Sequence, residues 1–306
     1  MFFNSPNARK KHLISWAKEY KIELPSKPEE LENVQKLDLQ LRGINKLPKE
    51  IDCLPNLIEI NASCNNLAEL PWEFSQLKKL KAINLGHNKL SDITGVICQL
   101  TQLEYINMEA NSIKKVSAII ANLTNLIELN ISFNQVADIS NEIAHLKHLK
   151  VLNIAANNLS MLPAGMQKLY NLTDLIIWKN KINEIPDFVK ELPNLKNVNF
   201  EPDTERINHE LISAVISNDL TQLERMVHMG GDVNYKWYGH NPKHSFATAL
   251  FKAKNVEIVK YLILMGADVN VQREKSLDKP EMETFLTKKH VPEVAKYLKT
   301  PNPETK

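Results

Sequence analysis

Apolar residues recur along this chain with a fixed period of 23 residues from Val34 to about Asp203. The leading apolar position of each cycle falls at Val34, Leu57, Leu80, Leu103, Leu126, Leu149, Leu172 and Leu195, with no slip of register. A period of about 20–50 residues is the mark of a solenoid, in which each unit buries its apolar face against the next. Within a cycle the fourth and sixth positions are apolar and alternate with polar ones, as a strand with one buried face requires. The second half supplies further inward residues, such as Leu47, Ile51 and Leu54, or Ile185, Val189 and Leu192. Pro48, Pro71, Pro163 and Pro186 follow the first of these residues, and Thr94, Ser117 and Ser140 stand there in three central cycles. Both residue kinds suit the first turn of a short helix.

The ninth position is Asn65, Asn88, Asn111, Asn134, Asn157 and Asn180 in six consecutive cycles. A buried turn leaves backbone N–H and C=O groups without ladder partners, and an amide side chain can serve both. Arg42 and Asp203 take that place in the end cycles. The repeated L-x-x-L-x-L-x-x-N-x-L, for example LKAINLGHNKL from Leu80, resembles the leucine-rich-repeat family in its 23-residue variety. That resemblance implies an arc with a parallel concave sheet and short helices or extended turns on its convex side.

Upstream, residues 1–33 are expected to form an N-terminal capping element. Leu13, Trp16, Ala17 and Tyr20 stand at helical spacing, with Asn7 as the expected N-cap. Such a helix covers the apolar edge that the first cycle would otherwise expose.

The 23-residue period stops near Glu201, and a second period of 36 begins. DLTQLERMV at Asp219, NVEIVKYLI at Asn255 and VPEVAKYLK at Val291 keep that spacing, as do GGDVN at Gly230 and GADVN at Gly266. A helix closed by such a turn resembles the ankyrin repeat. About three units are expected over 204–299, the last from Glu281 as a C-terminal cap, with 300–306 as a tail. The expected fold class is therefore an α/β solenoid, a leucine-rich-repeat arc over 34–203 followed by an all-α ankyrin-like region.

A net charge of +2, with no region carrying a basic excess, argues against nucleic acid as a partner. No run is apolar and long enough for membrane insertion or a cleavable signal peptide. Three cysteines without C-x-x-C spacing favour reduced thiols. Eight glycines form no phosphate-cradling motif, and neither His145 with His148 nor His240 with His244 has a third ligand nearby. No catalytic residue, cofactor or metal is expected, and the chain is read as a non-enzyme.

Both families are protein-interaction scaffolds, so a protein partner and a monomeric chain are expected by resemblance. Positions three, five and seven of the cycle are expected to face outward on the concave sheet. There Glu59, Tyr105, Glu109, Glu128, Asp174 and Trp178 stand out, the two aromatics as anchors and the carboxylates favouring a partner with a basic patch. The Asn column at position five is read as a family habit without a binding role. Tyr235, Trp237 and Tyr238 mark a second candidate surface, a projecting finger between ankyrin-like units. The combination of modules resembles effectors of intracellular bacteria, which implies action in a host cytosol without a cleavable signal peptide. The alternatives are a resident cytoplasmic scaffold, similar to Ras-pathway and phosphatase-regulating leucine-rich proteins, and an enzyme or metal binder in the ankyrin loop.

Overall fold

A computed structural model describes residues 5–237, 248–268, 272–276 and 279–284. The chain divides into two compact units, Met1–Pro202 and Asp203–Lys306.

In the first unit, the helix Pro6–Glu19 starts two residues earlier than an N-cap at Asn7 would place it, and Asn7 lies inside its first turn. Ser5 is its N-cap, accepting from the N–H of Ala8 at 3.3 Å, and Pro6 takes the first helical position, where its missing N–H costs nothing. Leu13, Ile14 and Ala17 are buried, and Trp16 and Tyr20 pack partly buried on the same core. Arg9 bonds Asp52 of the first cycle at 2.6 Å, and Lys10 bonds Glu32 in the turn that leads into it at 2.9 Å.

Eight three-residue strands follow, one per cycle, in a single parallel sheet whose order is the chain order. Their register advances by one cycle per strand: Lys36 pairs with Glu59, Glu59 with Ala82, Ala82 with Tyr105, and so on to Asp174 with Asn197. The returning segments are mostly short 3-10 turns, such as Lys49–Cys53, Trp72–Gln76 and Ala164–Lys168. The prolines sit immediately before these turns, with extended backbone, and so act as caps rather than first-turn residues. Between sheet and turns, one continuous apolar core runs from Leu13 to Leu192.

The Asn column holds the turns as its chemistry suggests. The Asn111 side-chain oxygen accepts from the N–H of Leu90 at 2.9 Å, and its amide donates to the carbonyls of Leu85, Met108 and Glu109. Asn65, Asn88, Asn134, Asn157 and Asn180 repeat the arrangement at the same spacing. Asp203 takes no part in it and instead N-caps the helix Thr204–Ser217, accepting from the N–H of Arg206 at 3.0 Å.

Two further columns accompany the ladder. The residue before the ninth position adopts a left-handed backbone in seven cycles: Leu41, Cys64, His87, Ala110, Phe133, Ala156 and Lys179 have φ between 51° and 58°. On the returning side, the amides of Asn56, Asn125, Asn171 and Asn194 each donate to a carbonyl 24 residues earlier. The cycles with Ser117 and Ser140 in place of proline also pair there. Lys115–Val116 lies parallel to Asp138–Ile139, and the N–H of Ser140 donates to Val116 at 2.9 Å. Pro163, one cycle on, has no N–H to continue that strip.

In the second unit, helices Thr204–Ser217, Leu220–His228, Ala249–Lys252 and Val256–Leu264 enclose a core that includes Leu211, Val215, Leu223, Phe251 and Leu262. Asp219 and Asn255 N-cap the second and fourth of these helices. Gly230 and Gly266, both at φ +89°, close the same two helices, where a side chain would be strained. The expectation of an all-α region needs correction. Gln272–Ser276 pairs antiparallel with Lys279–Thr284, and Pro280 would interrupt a helix there. The helical unit read from Glu281 begins on this hairpin, and the rest of it lies outside the described residues.

Candidate functional site

The sheet is covered by the core on one side and open on the other. Its open side forms a trough of about 950 Å3 lined by Lys36, Glu59, Ala82, Tyr105, Glu128 and Val151 at position three, with the Asn column beside them. Of the aromatic candidates, Tyr105 lies in this trough and is 40% exposed. Glu59 is paired with Lys36 at 2.8 Å, whereas Glu128 makes no ion pair among the described residues. Asp174 sits in the same row, but its carboxylate is engaged by Thr173 and Asn197, both at 2.6 Å. These two bonds hold its pKa below the usual carboxylate value.

Glu109 and Trp178 stand elsewhere. They belong to position seven, four residues further along their strands than Tyr105 and Asp174. Tyr105 and Trp178 are thus separated by about 13 Å along the strand direction and about 14 Å across three strand spacings. The two positions therefore lie about 19 Å apart on the face, further than the distance across strands alone. Position seven is also less open than expected: Ser63, Ser132 and Ala155 there are buried. Trp178 packs edge-to-face on Phe133, with ring centroids 5.7 Å apart and planes at 77°. Phe133 was not legible as a site residue, because its position in the cycle has no common chemistry.

The position-five asparagines are structural, as read, but not idle. Asn84, Asn107 and Asn153 each accept from the N–H two residues on, in Gly86, Glu109 and Ala155. Asn61 and Asn130 do the same with Ser63 and Ser132 and also bond those hydroxyls. Because an N–H can only donate, the oxygen of each amide is turned toward the backbone and the NH2 group toward the trough.

Of the finger residues, Tyr235 and Trp237 are half-buried against the second unit's own core. Tyr235 hydrogen-bonds His209 at 3.1 Å, and the Lys252 ammonium lies 4.9 Å from the Trp237 ring centre. Tyr238 lies outside the described residues, as do His240 and His244. His145 pairs with Glu142 at 3.1 Å, and among the described residues no three His, Cys, Asp or Glu side chains converge on a metal position. Burial, with Asp92 adding to it, pushes the Cys98 thiol up to about 12, and burial also raises that of Cys53. Neither is a thiolate near neutral pH, so neither is primed as a nucleophile. Among the described residues, no helix is long and apolar enough to cross a membrane.

Residues 55–113 match a family model described as Leucine rich repeat, and 124–164 match Leucine Rich repeats (2 copies). These two segments are leucine-rich repeats. No curated protein matches the sequence. Internalin C2 of Listeria monocytogenes superposes with a TM-score of 0.52 at 21% identity, over 65% of this chain and 88% of that one. A TDR receptor superposes with a TM-score of 0.52 at 26% identity, over 60% of this chain and 32% of the receptor's. These likenesses are likenesses of fold. Neither matched family segment reaches the second unit.

Proposed function

We propose that this chain is a non-enzymatic scaffold that binds a protein on the open face of its parallel sheet. Leucine-rich-repeat domains commonly mediate protein–protein interaction. The observation that carries the reading is the trough itself: a face lined by seven of the sheet's eight strands, with Tyr105 half-exposed among small and amide side chains. Small residues let a partner's backbone approach, and an aromatic held by the sheet loses little freedom when it is buried. Six carboxylates, Asp38, Glu59, Glu109, Glu128, Asp174 and Glu201, stand on positions three, five and seven against Lys36. That balance favours a partner with a basic patch; of the position-three carboxylates, Glu59 is ion-paired and Asp174 hydrogen-bonded, which leaves Glu128 without an ion pair among the described residues.

The finer reading, an effector acting on a host protein, rests on the pairing of leucine-rich cycles with ankyrin-like helical units. The 36-residue recurrence of the Gly230 and Gly266 turns and of the Asp219 and Asn255 caps supports that likeness. Tyr235 and Trp237, packed on their own core, are less available than Tyr105 and make the finger the weaker surface.

The test is affinity capture from a host-cell lysate with mass spectrometry, run in parallel with an Ala82→Trp, Val151→Trp variant that fills the trough. A partner recovered by the native chain and lost by the filled variant supports the reading. A partner retained by the filled variant refutes it.

A further inference from the structure

Phe133 is placed against two preferences at once. It has a left-handed backbone, with φ at +54°, and 47% of its surface is exposed. A bulky residue is disfavoured at positive φ, where Asn or Gly fits with less strain. An exposed side chain also returns little burial energy, so folding asks for no aromatic at this position. Phe133 nonetheless meets Trp178 edge-to-face, across the intervening cycle that carries only Ala155 and Ala156 at the matching places. Ala155 is 1% exposed, which makes a closed apolar floor between the two rings.

The row of position-seven residues that holds Trp178 has a carboxylate at each end of this ledge. Glu109 stands one cycle before Phe133, and Glu201 stands one cycle after Trp178. Neither makes an ion pair among the described residues; the Glu109 carboxylate accepts from the Asn130 amide at 3.3 Å. Four strand spacings separate them, or about 19 Å. The Lys179 ammonium lies 5.3 Å from the Trp178 ring centre, so the indole already takes a cation over its face.

We propose that this ledge seats an extended segment of a partner protein in which an apolar side chain is flanked by basic ones. The aromatic pair would take the apolar side chain and the two carboxylates the basic ones. Half of about 19 Å is spanned by about three extended residues, which puts Lys or Arg three positions to either side of the anchor. Carboxylates at both ends disfavour a nucleic-acid strand and an anionic lipid surface. This inference rests on the open face being the protein-binding face and names the segment that face would select.

The test is to pan a phage-displayed random dodecapeptide library on the full chain. Enriched peptides are expected to carry an apolar residue with Lys or Arg three positions away on each side. Their affinity is expected to fall at least about tenfold in Phe133→Asn, Trp178→Ala, with Asn chosen because it suits the left-handed backbone. It is expected to fall about threefold to tenfold in Glu109→Gln, Glu201→Gln, with unchanged melting temperature in both variants. No enrichment, enrichment of acidic or unpatterned peptides, or full binding to the Phe133→Asn, Trp178→Ala variant would each overturn the ledge. If binding survives that variant but is lost in Tyr105→Ala, the open face still binds and only the ledge is wrong. Undiminished binding of the enriched peptides to the Ala82→Trp, Val151→Trp variant is expected, because those positions lie about 13 Å along the strands from the ledge; loss of binding there would place the peptide in the trough and overturn the ledge.

Discussion

The Asn111 amide donates to the carbonyl of Leu85, 26 residues earlier, at 2.9 Å, while its oxygen accepts from the N–H of Leu90. One side chain thus ties two cycles together. Asn111→Leu removes these bonds along with those to Met108 and Glu109, leaving buried backbone groups unpaired. A loss of about 1–3 kcal/mol in urea unfolding is expected. Asn107→Ala is expected to cost less, about 0.5–1.5 kcal/mol, for its single bond from the N–H of Glu109. Equal losses in the two variants would contradict the ladder.

Left-handed backbone at seven successive cycles gives a second expectation. At Ala110, with φ at +52°, the strain of an L residue is set against the extra chain entropy a glycine loses on folding. Ala110→Gly is expected to be neutral or to stabilise by up to about 1 kcal/mol, whereas Ala110→Val should destabilise clearly. Thermal melts that place the Val variant level with the Gly variant would show that the backbone relaxes away from this conformation.

Ser117 and Ser140 occupy equivalent places but should respond differently to proline. Ser117 has φ of −79° and Ser140 of −60°, so the ring fits both. Only the N–H of Ser140 donates into the short outer strip, to Val116. Ser117→Pro is expected to stabilise by about 0.4–1 kcal/mol, while Ser140→Pro should gain nothing or lose up to about 1 kcal/mol. A larger gain at Ser140 than at Ser117 would count against this strip.

Cysteine reactivity gives a check that needs no mutation. With its thiol pushed up to about 12 and its side chain buried, Cys98 is protonated at pH 8 and shielded from reagent. Labelling with a thiol-specific disulfide reagent should modify the part-exposed Cys64 first and reach Cys98 only on unfolding. Rapid labelling of Cys98 in the native protein would contradict its placement in the core.

Periodic chemistry was legible in the sequence, and non-periodic chemistry was not. Asn65 through Asn180 announced the ladder because the same side chain returns at each cycle. The left-handed column carries Leu41, Cys64, His87, Ala110, Phe133, Ala156 and Lys179, which share no property a pattern could reveal. The returning amide column is interrupted by Lys79, Gln102 and His148, which hides it. The separation of Tyr105 and Trp178 along the strand follows from counting positions three and seven, and only the structure pairs Trp178 with Phe133. The hairpin after Gly266 falls between the GADVN turn and the VPEVAKYLK motif, where no recurring residue foretold it.

The central claim is that the open face of the sheet, rather than the helical unit, carries the partner. Its most direct test is the dissociation constant of a captured partner, measured by calorimetry for the native chain and two variants. Tyr105→Ala with Trp178→Ala is expected to weaken binding by at least about 2 kcal/mol, roughly thirtyfold, while its melting temperature stays near native. Trp237→Ala should leave the affinity unchanged. Unchanged binding in the face variant together with its loss in Trp237→Ala would contradict the account.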